Sequence, residues 1–80
     1  MLKIKDDIDL KNLKNIEFKE SYDYFYYEKA RLQADICINK RTKTISLFDF
    51  NKRKRDRREK TLNEIPIVQG LIKANLVVKE

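Results

Sequence analysis

Seven of the nine residues from Lys52 to Lys60 are basic (Lys52, Arg53, Lys54, Arg55, Arg57, Arg58 and Lys60), and the chemistry they offer is neutralisation of phosphate. Guanidinium and ammonium groups displace counterions condensed on a polyanion, so each engaged phosphate adds affinity that salt removes, with a slope of about −0.9 per contact on duplex DNA. Most of the formal net charge of +6 sits in this run. Residues 1–50 carry ten basic and nine acidic side chains, residues 51–60 seven and two, and residues 61–80 two and two, giving excesses of +1, +5 and 0. A phosphate backbone, an anionic lipid or an acidic protein face would therefore meet one charged site rather than a basic surface. The competing reading is a solvated loop or exposed helix start, in which Arg55 with Glu59 and Asp56 with Lys60 form spacing-four pairs that only aid solubility.

Little else could do chemistry. The chain has no histidine, so the usual general base near neutral pH is missing, and its one cysteine, Cys37, has no imidazole to activate it. Glu17-Phe18-Lys19 has the Glu-x-Lys spacing with which metal-dependent nucleases hold Mg²⁺ and activate water. Glu17, however, falls at an expected helix end rather than on a sheet. Asp6, Asp7 and Asp9 lack the glycine and later glutamate of a calcium loop, and helix capping explains them better. With one thiol and no imidazole, a small Cys/His metal site is excluded. The expectation is a non-enzymatic protein without catalytic residues, metal or cofactor.

A second feature suits binding rather than catalysis. From Tyr22 to Tyr27 every residue but Asp23 is aromatic, a composition that fits a pleated strand and would crowd a helix. Alternation points Tyr22, Tyr24 and Tyr26 one way and Phe25 and Tyr27 the other. An even-length connection to the next strand puts Phe25 and Tyr27 in the core, and an odd one puts the tyrosines there. Asp23 shares a face with Phe25, and a carboxylate is costly to bury unpaired. The tyrosines are therefore expected to face inward, leaving Phe25, Tyr27, Cys37 and Phe48 on an open face. That face could dock a protein or a second copy of the chain, or stack unpaired bases. It could also reflect strand propensity alone, its rings half covered by Lys and Arg stems.

The elements that must position these groups follow from pattern. Asp7 or Asp9 can cap a helix carrying Leu10, Leu13 and Ile16. Residues 33–39 and 44–50 alternate around the polar tetrad Lys40, Arg41, Thr42 and Lys43 and read as a hairpin. Pairing Ile38 with Ile45 also pairs Ile36 with Leu47 and Ala34 with Asp49, placing four aliphatic side chains on one face. Asn63 is the preferred cap of a second helix, with Pro66 in its first turn and Ile65, Val68, Leu71 and Ile72 as its stripe. A Thr61/Glu64 capping box is the alternative. Asn75 suits a left-handed stop, leaving residues 76–78 for a short C-terminal strand. Gly70, inside that helix, either permits close packing or weakens it. The expected fold is α+β, in the order α-β-β-β-α, with a three-stranded antiparallel sheet and helices on one face.

Eighty residues make one small domain, burying roughly 60–65% of the surface exposed when unfolded, which leaves no room for a large cleft. No apolar run comes near the ~20 residues needed to span a membrane. The acidic start and single cysteine predict a cytoplasmic chain.

Helix, three strands and helix, with basic residues before the second helix, is similar to the double-stranded-RNA-binding domain, which sets such a cluster against phosphates. The turn Glu28, Lys29, Ala30, Arg31 departs from that family's Gly-Pro-x-His, and its Gly-rich lead into the second helix is replaced here by charges. In length, element order and Lys/Ile/Asn-rich composition the chain resembles short, mostly uncharacterised proteins of bacteriophages and mobile elements of low-GC Gram-positive bacteria. That resemblance implies a regulator or inhibitor that binds host nucleic acid or host protein. The leading expectation is a binding protein that grips DNA or RNA phosphates through residues 52–60 with low sequence specificity. The alternative is a module that binds an acidic protein partner or its own copy through Phe25, Tyr27 and Phe48.

Overall fold

The alternating residues 34–49 build the centre of the molecule. In the computed structural model, which describes all 80 residues, β4 (Ala34–Asn39) and β5 (Ile45–Asp49) pair antiparallel, with Ile38 opposite Ile45, Ile36 opposite Leu47 and Ala34 opposite Asp49. That is the register the alternation predicts, and Ile36, Ile38, Ile45 and Leu47 are all buried. Asn39 closes the hairpin, its side-chain oxygen accepting the amide hydrogens of Arg41 and Thr42 at 2.8 and 2.9 Å.

On its other side β4 receives β3 (Tyr24–Arg31), with Phe25 opposite Ile38 and Tyr27 opposite Ile36. Directly paired residues project to the same face, so Phe25 and Tyr27 join the aliphatic side and the tyrosines at 24 and 26 take the other. The expected inward tyrosines are thus corrected, and the even-spacing alternative is the one realised. Asp23, which argued against it, lies before the strand and is exposed, so no carboxylate is buried beside Phe25.

The sheet is wider than expected. Two short edge strands flank it, β2 (Lys19–Glu20) beside β3 and β6 (Lys54–Asp56) beside β5, giving five antiparallel strands in the order β2-β3-β4-β5-β6. A separate two-stranded sheet joins β1 (Leu2–Ile4) to β7 (Val77–Lys79). The three-stranded α-β-β-β-α arrangement is therefore wrong, and with it the topological analogy to the double-stranded-RNA-binding domain. What remains is a loosely α+β, mostly sheet fold. The missed strands are two or three residues long, and β6 holds only charged side chains, so neither has an alternation to read.

Helical segments cover one face of the five-stranded sheet. The first is a 3₁₀ helix, Leu10–Ile16, capped by Asp9, whose Oδ1 accepts the Lys11 amide hydrogen at 2.9 Å. Leu10 and Leu13 are buried, but Ile16 is exposed. In place of one second helix there are two, α1 (Glu59–Leu62) and α2 (Pro66–Lys73). Asn63 ends α1 rather than capping α2. Pro66 takes the first position of α2, and the residue before a proline avoids the helical region, so Ile65 is extended and serves as the cap. Asn75 terminates α2 at φ 62°, while the Leu76 and Asn75 amides donate to the carbonyls of Leu71 and Ile72 at 3.1 and 3.0 Å.

Ile65, Val68 and Leu71 pack with Leu62, Phe18, Leu10, Leu13, Leu2 and Ile4 against the sheet in one buried cluster. Each such aliphatic side chain contributes about 1.5–3 kcal/mol by leaving water. The small sheet is tied to the large one where the Ile4 amide donates to the Lys43 carbonyl at 2.9 Å. No helix is long and apolar enough to cross a membrane.

Candidate nucleic-acid interface

The basic run is neither a loose loop nor a plain helix start. Asp49 Oδ1 accepts the amide hydrogens of Asn51 and Lys52 at 2.9 and 3.1 Å, turning the chain after β5. Arg53 completes the turn at φ 52°, Lys54, Arg55 and Asp56 form β6, and Arg58 is the cap position of α1. Five of the seven predicted cations, Lys52, Lys54, Arg55, Arg57 and Arg58, border one groove of about 560 Å³ with Arg31 and Thr61. Asp49, Asp56 and Glu64 also line it. Arg53 and Lys60 stand outside the groove, both exposed.

Within the groove the charges are not equivalent. Arg58 grips Asp56 with Nε at 3.1 and 3.2 Å from the two carboxylate oxygens and Nη2 at 2.8 Å, while its amide donates to Oδ1 at 2.9 Å. These bonds, the guanidinium's foremost, hold the Asp56 carboxyl far below the usual carboxylate range. Arg31 is 3.4 Å from Glu64. Lys52, Arg53, Lys54, Arg57 and Lys60, in contrast, make no ion pair and donate no side-chain hydrogen bond to the protein. Elsewhere several cations are paired: Lys3 with Asp6 and Glu80, Lys14 and Lys40 with Glu20, Lys19 with Glu28, and Lys79 with Glu59, while the unpaired Lys11, Lys29, Arg41 and Lys73 lie far apart in the sequence.

Arg55 belongs to a different surface. Opposite Phe48 in the β5–β6 ladder, it lies across the open face of the sheet, its guanidinium carbon 4.3 Å from the Tyr24 ring centre and 5.2 Å from that of Phe48. Beneath it are Ser46, 4% exposed, with Oγ 3.5 Å from Arg55 Nη1, and the half-buried Cys37. Burial pushes the Cys37 thiol above its ordinary pKa, against a smaller opposing pull from Arg55. The two features read separately in the sequence, basic run and aromatic strand, thus meet at one arginine.

The open face is aromatic with a different membership. Phe25 is buried at 2% exposure and offers no partner surface, and the partly buried Tyr27 tilts against Phe18 at 5.5 Å on the covered side, away from the open face. Phe48 does face outward, with Tyr24, Tyr26 and Phe50. Phe50 meets Phe48 edge to face at 5.2 Å, and with Tyr26 and Leu32 it lines a concavity of about 700 Å³ that also includes Arg31, Lys29, Glu28 and Asp35. Phe50 was missed as a surface residue, although its two-residue spacing from Phe48 was the available signal.

The remaining candidates are structural. Glu17 ends the 3₁₀ helix in a left-handed conformation at φ 72°, and Lys19 pairs with Glu28 at 2.8 Å, so Glu17-Phe18-Lys19 assembles no carboxylate pair. No three Asp, Glu or Cys side chains converge as metal ligands. Compared with protein-family models, curated proteins and solved structures, the chain matches none.

Proposed function

We propose that this is a small non-enzymatic, cytoplasmic binding protein that holds nucleic-acid phosphates with the uncompensated cations of residues 52–60. One observation carries the reading: five cations without a partner, Lys52, Arg53, Lys54, Arg57 and Lys60, stand within nine residues on one turn, edge strand and helix start, whereas the unpaired cations elsewhere, Lys11, Lys29, Arg41 and Lys73, are scattered along the chain. Unpaired cations held by a fixed backbone favour a polyanion, because little of their interaction is spent on internal carboxylates. Arg53 and Arg57 read phosphate best among them through their planar forks. Arg58, locked by Asp56, and Arg55, on the aromatic face, contribute less to the clamp than their charges suggest. A regulator of the kind carried by phages and mobile elements would fit this chemistry.

The test is fluorescence anisotropy with labelled single-stranded DNA, duplex DNA and duplex RNA at low and near-physiological salt. Three to five contacts on duplex DNA give a log–log salt slope of about −3 to −4.5. Lys54→Glu with Arg57→Glu should remove most of the affinity. No binding at low salt would discard the reading. A second reading, a protein partner or homodimer, draws on the exposed Leu32 (90%) and Phe50 (51%) at the edge of the concavity. Sedimentation equilibrium and a partner pull-down with Phe50→Ser would test it.

A further inference from the structure

We propose that the open sheet face is a stacking platform for unpaired bases, so that the ligand held by the cationic turn is single-stranded nucleic acid rather than duplex. This rests on the phosphate-binding reading and extends it to a second surface.

Phe50 is the first residue of the turn that carries Lys52 and Arg53, and it walls the concavity it shares with Tyr26. A largely apolar hollow walled by two rings therefore adjoins, through Phe50, the turn that carries two of the unpaired cations. A single strand presents both chemistries side by side, anionic phosphates along one edge and flat aromatic bases along the other. Duplex presents only the phosphates, its bases being stacked inside. The concavity lies within the ordinary size of a small-ligand site.

The carboxylates inside the hollow fit the same orientation. Glu28 is neutralised by Lys19 at 2.8 Å, and Asp35 accepts the Lys29 amide hydrogen at 2.9 Å. Lys29 and Arg31 balance the two carboxylates of the hollow, so the stronger positive field for the backbone is at Lys52 and Arg53, while free carboxylate lone pairs can accept the amino hydrogens of a base. Arg55 shows that this face takes a planar π-system: its guanidinium already lies over Tyr24 and Phe48.

The deciding comparison is a pyrimidine oligonucleotide against an abasic oligomer of equal length and charge, with a duplex alongside, all at one low salt concentration and read by anisotropy. Intrinsic tyrosine emission, available because the chain has no tryptophan, gives a second readout. The oligonucleotide should bind about tenfold or more tighter than the abasic oligomer and quench tyrosine fluorescence. Tyr26→Leu and Phe50→Leu, which keep apolar volume but remove the ring, should lower the oligonucleotide affinity towards the abasic value and leave the abasic affinity unchanged. Circular dichroism and melting of both variants establish that they fold. Equal affinity for oligonucleotide and abasic oligomer, or wild-type binding by both leucine variants, overturns the stacking platform while leaving phosphate binding intact. Failure of every nucleic acid to bind overturns both. A face occupied by a second copy of the chain at the assay concentration, seen by sedimentation, also overturns it.

Discussion

The guanidinium of Arg55 lies 4.3 Å from the ring centre of Tyr24, joining β6 to a strand that no backbone hydrogen bond of β6 reaches. The two small side chains between them, Cys37 and Ser46, leave the shallow floor that makes this crossing possible. A cation–π contact of this kind contributes about 0.5–2 kcal/mol. Its larger consequence is positional, because a three-residue edge strand of charged side chains has no apolar contact of its own to hold it. The unpaired cations on either side of Arg55 are thereby presented from a fixed frame.

Asp56 limits the clamp by holding Arg58 in the four hydrogen bonds described above. Asp56→Asn removes one negative charge from the groove and frees a guanidinium for phosphate. Nucleic-acid affinity at low salt should rise several-fold, and the salt slope should steepen by about one. Anisotropy titrations of wild type and variant across several salt concentrations measure both. Weaker binding by a folded variant would mean that Asp56 positions Arg58 for the ligand instead of withholding it.

Lys43 is a cation with a structural role. Its Nζ donates to the carbonyls of Ile8, Asp6 and Lys5 at 2.6, 2.9 and 3.3 Å, fastening the β4–β5 turn to the segment after β1. Lys43→Met keeps the stem and leaves those carbonyls without their donor. The expected loss is about 1–3 kcal/mol, seen in urea unfolding as a lower midpoint at unchanged slope. Binding by residues 52–60 should be unaffected.

Glu20 sits between Lys14 and Lys40, at 2.7 and 2.6 Å, and these hydrogen bonds, Lys14's first, hold its pKa at about 2, below the ordinary 4.5. A depressed folded-state pKa contributes stability that is fully present above about pH 4.5 and lost as pH falls towards 2. The melting-temperature difference between wild type and Glu20→Gln should therefore be constant above pH 5 and shrink towards zero near pH 2. The carboxylate is solvent-accessible, so added salt should reduce the difference at every pH. A difference independent of pH would show that the pair carries no charge-dependent stability.

Gly70 lies in α2 with open space where a Cβ would point. Of the two readings of this glycine, helix weakening is the one the geometry supports. Gly70→Ala should stabilise by about 0.5–1 kcal/mol and raise the melting temperature by a few degrees. A drop on calorimetry would mean that the helix bends at this position on some excursion the alanine blocks.

The sequence by itself determined what depends on neighbours along the chain. Alternation at residues 34–49 set the hairpin register, Asp9 and Asn75 bounded their helices, and the concentration of charge in residues 52–60 was visible by counting. These are local, because a turn, a cap or a two-residue period needs only a few adjacent side chains. Tertiary structure decided the rest. Whether Phe25 or Tyr24 faces the core depends on pairing with β4, and a one-residue change of register would exchange them. Strand β6 exists because β5 offers it an edge and Arg55 finds two rings, and β1 exists because β7 returns to meet it from the far end of the chain. Arg53, Lys54, Arg55 and Arg58 look alike in the sequence, yet one is unpaired on a turn, one unpaired in a groove, one laid on tyrosine and one locked to aspartate. That division comes from contacts between distant segments, which no local pattern of charge encodes.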